Sequence, residues 1–397
     1  MAEVSPGVGT ADESRWVGVG RSDDQDARLA GAQATRQAVH GDDPKLLIVF
    51  SAHRYDPVEL AAGVAAVAPG VPSIGCSTRG ELARDGPRDG TVVVAAIGGE
   101  GFFVSTAADE PASGRQREAG AEVARCAGDV PDLPYKVLML LTDGYTRSQE
   151  EILRGAYGVV GAGVPLFGGA AGALESTRSY QLHGERVLHD GVVAATIASA
   201  ATISIGVSHG WHNVGDAMMV TRSDSARVYT LDREPALDRY LRQLDAPAEV
   251  YHDPDKFSRW SMTRPLGVQR RSGVAAKNIS RDVDFEGRSI GGGTEIVQGA
   301  LVWATEGDAA SILDATEVAC QEALDGLGGR PPIGLLTLSC LGSRAVLGDD
   351  GIQQEIARIN GRAQGAPFAG FYTLGEIART RGVEGFHNQT LVVLALS

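Results

Sequence analysis

The chain has 397 residues, 43% of them hydrophobic and 22% charged, and a formal net charge of -14. That acidic balance, without any long Lys/Arg run, excludes the basic stripe that a phosphate backbone requires, so nucleic acid is not an expected partner. The length exceeds one ordinary core and predicts two domains or an extended body of repeated units. Four cysteines, Cys76, Cys126, Cys320 and Cys340, have no CxxC spacing, a pattern of reduced thiols in a cytosolic chain.

Residues 1–14 read as a loose tail, with Glu3, Asp12 and Glu13 and no apolar run that would make a secretory signal. A short strand follows over Arg15 to Gly20, then a helix from Asp23 to His40 with Ser22 as N-cap. Lys45 to Phe50 is a continuous apolar run of the buried-strand kind. A helix over Asp56 to Val67, a motif starting at Pro72 and a strand over Thr91 to Ile97 complete the first unit.

The order starts again with a strand at Phe102 to Ser105, a helix at Ser113 to Ala127, a strand at Tyr135 to Leu141 and a helix near Ser148. A motif at Pro165 and a strand at Val192 to Ile197 follow. The uncharged run Gly191 to Val207 falls short of the about 20 strongly apolar residues of a spanning helix, so no membrane insertion is expected. A third unit has a strand at Ala300 to Ala304, a helix at Ala309 to Leu324, Ile333 to Leu338, a helix at Asp350 to Asn360, a motif at Pro367 and Thr390 to Leu396.

The predicted fold is therefore α/β: repeated strand-helix units forming mixed, largely parallel sheets. Residues 202–299 break the pattern, with strands at Ile203 to Ser208, Met218 to Thr221 and Arg227 to Leu231 and a helix at Pro235 to Leu244. They predict an inserted α+β module between the N- and C-terminal regions.

The three motifs echo one another. Pro72, Gly75, Thr78, Gly80 and Glu81 return in register as Pro367, Gly370, Thr373, Gly375 and Glu376, while the middle copy keeps Pro165 and Gly168 but carries Ala171 and Leu174 in place of Thr and Glu. Each unit's second strand also ends in a polar loop, at Ser51 to Arg54, Thr142 to Tyr145 and Ser339 to Gly342, and ligands of open α/β sheets gather at such carboxyl ends. The candidate ligand-binding residues are Gly75, Ser77, Thr78 and Glu81, then Asp143, Gly168 and Gly169, then Tyr372, Thr373, Glu376, His387 and Asn388. Glu81 and Glu376 either hold a ligand ammonium, act as acid and base, or bond turn amides.

Other motifs fail. Arg79 stands where the GxSxG elbow needs a glycine, Asp23 interrupts a GxGxxG, and no GK[ST] exists. His209 and His212 lack a third ligand for a metal site. A single imidazole suffices for haem, so His183, His209, His212 and His387 are all candidate haem ligands. His387 either faces a pocket or packs as a core histidine.

IGCSTRGEL at 74–82, PLFGGAAG at 165–172, VSHGWHNVG at 207–215, RPLGV at 264–268, and FYTLGEIA with FHNQT between 371 and 390 together resemble the FIST family, named from F-box and intracellular signal transduction proteins. The resemblance implies a tail and first strand-helix at 1–39, a FIST N-like domain at 40–235 and a FIST C-like domain at 236–397. It implies a cytoplasmic sensor rather than an enzyme, binding a small amino acid-like ligand and signalling through a partner protein such as a histidine kinase. A haem-binding nitric oxide sensor is the alternative that the same resemblance implies. A hydrolase or transferase built on Glu81 or Glu376, with Asp143 or His387, is the alternative from the residues.

Overall fold

The computed structural model describes residues 15–174, 176–224, 226–270, 273–279, 283–291, 295–380 and 385–397; the tail read over 1–14 lies outside them. The first stretch contains β1 (Trp16–Ser22), α1 (Ala27–Ala38), β2 (Pro44–Ala52), α2 (Pro57–Val67), β3 (Ser73–Thr78), β4 (Glu81–Ala83), β5 (Gly86–Arg88) and β6 (Val92–Gly98). The second contains β7 (Phe102–Asp109), α3 (Gln116–Ala124), β8 (Tyr135–Asp143), α4 (Gln149–Val160), β9 (Leu166–Ala171), β10 (Gln181–His183), β11 (Arg186–Leu188) and β12 (Val192–Ser199). The third opens with β13 (Ile203–Ser208) and, after an insert, continues with α7 (Ala309–Asp325), β22 (Gly334–Cys340), α8 (Leu341–Arg362), β23 (Phe368–Thr373), β24 (Glu376–Arg379), β25 (Phe386–His387) and β26 (Leu391–Leu396).

The insert holds β14 (His212–Asp224), β15 (Arg227–Leu231), β16 (Glu234–Pro235), α5 (Ala236–Gln243), α6 (Pro254–Ser261), β17 (Leu266–Arg270), β18 (Gly273–Lys277), β19 (Val283–Asp284), β20 (Ser289–Gly291) and β21 (Leu301–Glu306). Its strands make one sheet, ordered β18-β17-β21-β14-β15-β20-β19 with β16 on β15. Two strand assignments change. Ile203 to Ser208, expected in the insert, pairs with β26, and the strand near Ala300, expected to open the third unit, pairs with β14 and β17 inside the insert.

Helix starts follow their caps. Asp26, not Ser22, caps α1 by accepting from the Leu29 amide, because Ser22 is still the last residue of β1. Asp56 accepts from the amides of Val58 and Glu59, with Pro57 in the first turn of α2. The helix read over Asp350 to Asn360 is longer, running as α8 from Leu341 with a break at Gly348.

Three six-stranded sheets share one order: β1-β6-β2-β3, β7-β12-β8-β9 and β13-β26-β22-β23, each completed by a hairpin from a different stretch. Hairpin β10-β11 joins β3, β24-β25 joins β9, and β4-β5 joins β23, so every stretch lends its hairpin to another. The sheets are mixed but mostly antiparallel, which corrects the expectation of largely parallel ones. Among the described strands only β2/β3, β8/β9 and β22/β23 pair in parallel. The helix between those strands is the crossover that a parallel pair needs, whereas the closing strand enters between its unit's first and second strands and runs against both.

The inner faces of all three sheets meet in one core that includes Phe50, Cys76, Met139, Phe167, Leu338 and Phe371. Helices cover the outer faces in pairs, α1 with α2, α3 with α4, and α7 with α8. The motif glycine explains itself here. A Cβ at Gly75, Gly168 or Gly370 would stand 2.5, 1.9 or 1.7 Å from the carbonyl oxygen of Val49, Leu140 or Thr337 on the neighbouring parallel strand, a close approach that only glycine permits.

Candidate functional site

Register makes the three strand ends comparable. Ser51, Thr142 and Ser339 stand opposite Ser77, Ala170 and Tyr372, and the first residues of the three hairpins are Glu81, Gln181 and Glu376. Gln181, not Leu174, is therefore the middle counterpart of the two glutamates. The longer chain between β9 and β10 hid it from a comparison made in fixed sequence register.

The two glutamates lie in different sheets with separate partners. Glu81 is fully buried; it accepts from the Thr78 hydroxyl, the Thr91 amide at 2.9 Å and the Thr91 hydroxyl at 2.8 Å. Burial, only partly offset by those donors, pushes its carboxyl up to about 7. Glu376 is buried as deeply and accepts from Thr390 through one oxygen, while Oε1 has no hydrogen-bond partner. Burial pushes it up to about 8, opposed by the amide and hydroxyl of Thr390. Gln181 performs the same duty without a charge, accepting from the Gly191 amide at 3.0 Å.

Most other candidates serve the scaffold. The Ser77 hydroxyl accepts from the Tyr180 amide. Asp143 caps its own loop, accepting from the amides of Tyr145 and Asp190. Thr373 closes a turn with Gly375 and receives the Ala170 amide. Gly169 faces the Thr373 hydroxyl across that junction. His387 pairs with Glu376 across β24 and β25, and its Nε2 donates to the Ala378 carbonyl at 2.8 Å; Asn388 follows it, half-buried.

Tyr372 leads elsewhere. Its hydroxyl donates to Glu355 at 2.9 Å, and the Ser339 hydroxyl donates to the other Glu355 oxygen at 2.9 Å. Glu355, on α8, is 1% exposed, and burial raises its carboxyl above the usual range against both hydroxyls. It lines a partly open niche of about 10 Å³ together with Ser339, Ser343, His209, Gln389 and Thr390, room for one water-sized group. Gln389, also buried, lines the same niche, and its Oε1 has no hydrogen-bond partner. The cavity sits at the carboxyl end of β22, where strand-end reasoning places a ligand.

The other two strand ends differ. Tyr180 covers Ser51, the two hydroxyls sharing a 2.6 Å bond, and Thr142 is buried with its hydroxyl unpartnered. A wider groove of about 450 Å³ between α7 and α8 is lined by Arg358, Arg362 and Glu317, which are paired with one another.

The histidines do not fit haem. Both nitrogens of His209 are engaged, Nε2 with the Val274 carbonyl at 2.7 Å and Nδ1 with the Trp211 amide, and its cavity holds one small group. Nε2 of His183 is bonded to Thr106 and Nε2 of His387 to Ala378, while His212 is exposed at the start of β14. Among the described residues no group of three or more His, Cys, Asp or Glu is placed to hold a metal ion, and no described helix is long and apolar enough to cross a membrane.

Two Mycobacterium tuberculosis proteins, Uncharacterized protein Rv0628c of strain H37Rv and Uncharacterized protein MT0656 of strain CDC 1551, are each 26% identical to this chain, over 94% of it and 97% of their own length. A chorismatase crystal structure aligns over 96% of this chain and 98% of its own at 10% identity, with a TM-score of 0.37. Residues 45–234 match the FIST N domain and 236–379 the FIST C domain, and the chain belongs to the FIST family of sensory domains.

Proposed function

We propose that this protein is a non-catalytic cytoplasmic sensor that binds a small amino acid-like metabolite, whose ammonium group alone enters the niche at Glu355 while the rest of the molecule stays outside it, and that it signals through a partner protein, a histidine kinase being the expected class. The observation that supports it is a buried carboxylate beside unfilled space whose two bonds both come from neutral hydroxyls. A buried carboxylate without a cation is costly and takes up either a proton or a positive group. An ammonium in the niche would lie beside Glu355, with Gln389 among the lining residues.

The signalling half rests on family membership. A route outward starts at the cavity wall, because His209 and Gly210 lead into the insert and the Trp211 indole donates to the Gln389 carbonyl at 2.9 Å. A cytoplasmic place fits four buried free thiols. Acid-base catalysis gains no support, since both oxygens of Asp143 and Nε2 of His387 are committed to nearby backbone.

Thermal-shift screening of amino acids and small amines tests the reading, since a ligand of the native state raises stability. Saturable stabilisation by an amine-bearing compound, lost in Glu355→Gln, is the supporting result. A broad panel without any saturable shift would overturn it.

A further inference from the structure

Arg344, in the first turn of α8, is held by two groups besides its ionic partner. Nη1 donates to the Arg79 carbonyl at 2.5 Å, and the guanidinium lies 4.9 Å from the centre of the Tyr372 ring. Its fork then meets both carboxylate oxygens of Asp89, at 2.8 and 2.7 Å. Asp89 comes from the turn between β5 and β6, 255 residues away in sequence, so the pair joins the first stretch to the third.

The pair needs Gly80. With φ at +119°, a Cβ there would stand 2.3 Å from Arg344 Nη1 and 2.6 Å from Asp89 Oδ1. The residue before each hairpin's buried glutamate or glutamine is Gly80, Tyr180 or Gly375. Tyr180 fills its strand end, whereas Gly80 leaves room for a guanidinium and a carboxylate.

The two partners are unequally fixed. The Arg344 side chain is 20% exposed and is also bonded to the Arg79 carbonyl and set against the Tyr372 ring, while the Asp89 side chain is 47% exposed on a turn. A planar fork positioned this way accepts any carboxylate in two parallel bonds. An ion pair open to water contributes little stability, so exchanging one carboxylate for another is cheap.

We infer that Arg344 is the receptor for the carboxylate of a small ligand, and that Asp89 is a resident carboxylate occupying the fork until the ligand displaces it. This goes beyond the Glu355 reading, because it concerns a negative group and a different side chain. Tyr372 links the two, its ring under Arg344 and its hydroxyl on Glu355. A tethered carboxylate competes at roughly millimolar effective concentration, and a ligand's apparent affinity falls by the fraction of forks left open.

Calorimetry on the full chain tests this with two probes, N-acetylglycine, which offers a carboxylate without an ammonium, and glycinamide, which offers the reverse. Asp89→Ser is expected to bind N-acetylglycine about tenfold more tightly than the unaltered chain, and Asp89→Ser with Arg344→Gln to lose that binding. Asp89→Asn, which keeps the side chain's shape, is measured beside it should the serine variant fold poorly. N-acetylglycine binding through Arg344 supports the inference whether or not glycinamide binds. Equal affinity with and without Arg344, or no binding by a folded Asp89 variant, overturns it, while glycinamide binding lost in Glu355→Gln leaves the ammonium reading intact.

Discussion

Tyr180 and Gly80 hold the same place in two sheets, each immediately before the buried Gln181 or Glu81 of a borrowed hairpin, yet only Tyr180 reaches the strand-end hydroxyl, meeting Ser51 at 2.6 Å. One strand end is closed by its own ring. The other is spanned by the Arg344–Asp89 pair. Tyr180→Phe removes a buried hydroxyl pairing and is expected to cost about 1 kcal/mol in a urea melt, without exposing the core.

Gly80→Ala should be more damaging than its size suggests. The added methyl meets both Arg344 and Asp89 in a backbone region that L residues rarely adopt, so a loss of about 1–3 kcal/mol is expected. Arg344→Ala in the same background should recover part of it, since the nearest clash is with that guanidinium. A double-mutant cycle by chemical denaturation checks the coupling.

Glu81 and Glu376 make stability depend on pH in an unusual direction for carboxylates. Their folded values, about 7 and about 8, lie above the unfolded one near 4.5, so the folded chain binds more protons in between. Their contribution is complete below about pH 4.5 and is lost as pH rises through 7 to 8, roughly 3 kcal/mol for Glu81 and roughly 5 kcal/mol for Glu376. Gln181 shows that an amide can serve the same position. Glu376→Gln should therefore fold and flatten the decline in melting temperature between about pH 5 and 8; an unchanged slope would contradict the assignment.

Arg379 ties one stretch to another. It is 1% exposed, its guanidinium donates to the carbonyls of Gly161 and Val164 in the loop after α4, and it lies 4.5 Å from the centre of the Tyr157 ring. Arg379→Ala leaves those carbonyls without their donor inside the protein and should cost about 2–4 kcal/mol. Hydrogen exchange should then quicken first in the segment 161–165.

Much of the local structure is legible in the sequence, because it depends on neighbours. The apolar run ending at Phe50 is a strand, Asp56 before Pro57 opens a helix, and the motif glycines lie where parallel strands nearly touch. The hairpin exchange is not legible. Nothing near Glu81 says that it will pair with Phe371, nor anything near Gln181 that it will pair with Cys76. Glu355 is not legible for a related reason: in isolation it is an ordinary helix glutamate. Its one signal is spacing, since Ile352, Ile356 and Ile359 put residue 355 on the buried face of α8.

The proposed function places a ligand's ammonium group at the carboxylate of Glu355. Isothermal titration of the purified chain and of Glu355→Gln with the same panel of amino acids and small amines tests it most directly. Saturable one-site binding of at least one amine-bearing compound to the unaltered chain is expected, weakened at least about a hundredfold by the substitution, as loss of a buried charge pair implies. Binding of equal strength to both proteins would contradict it.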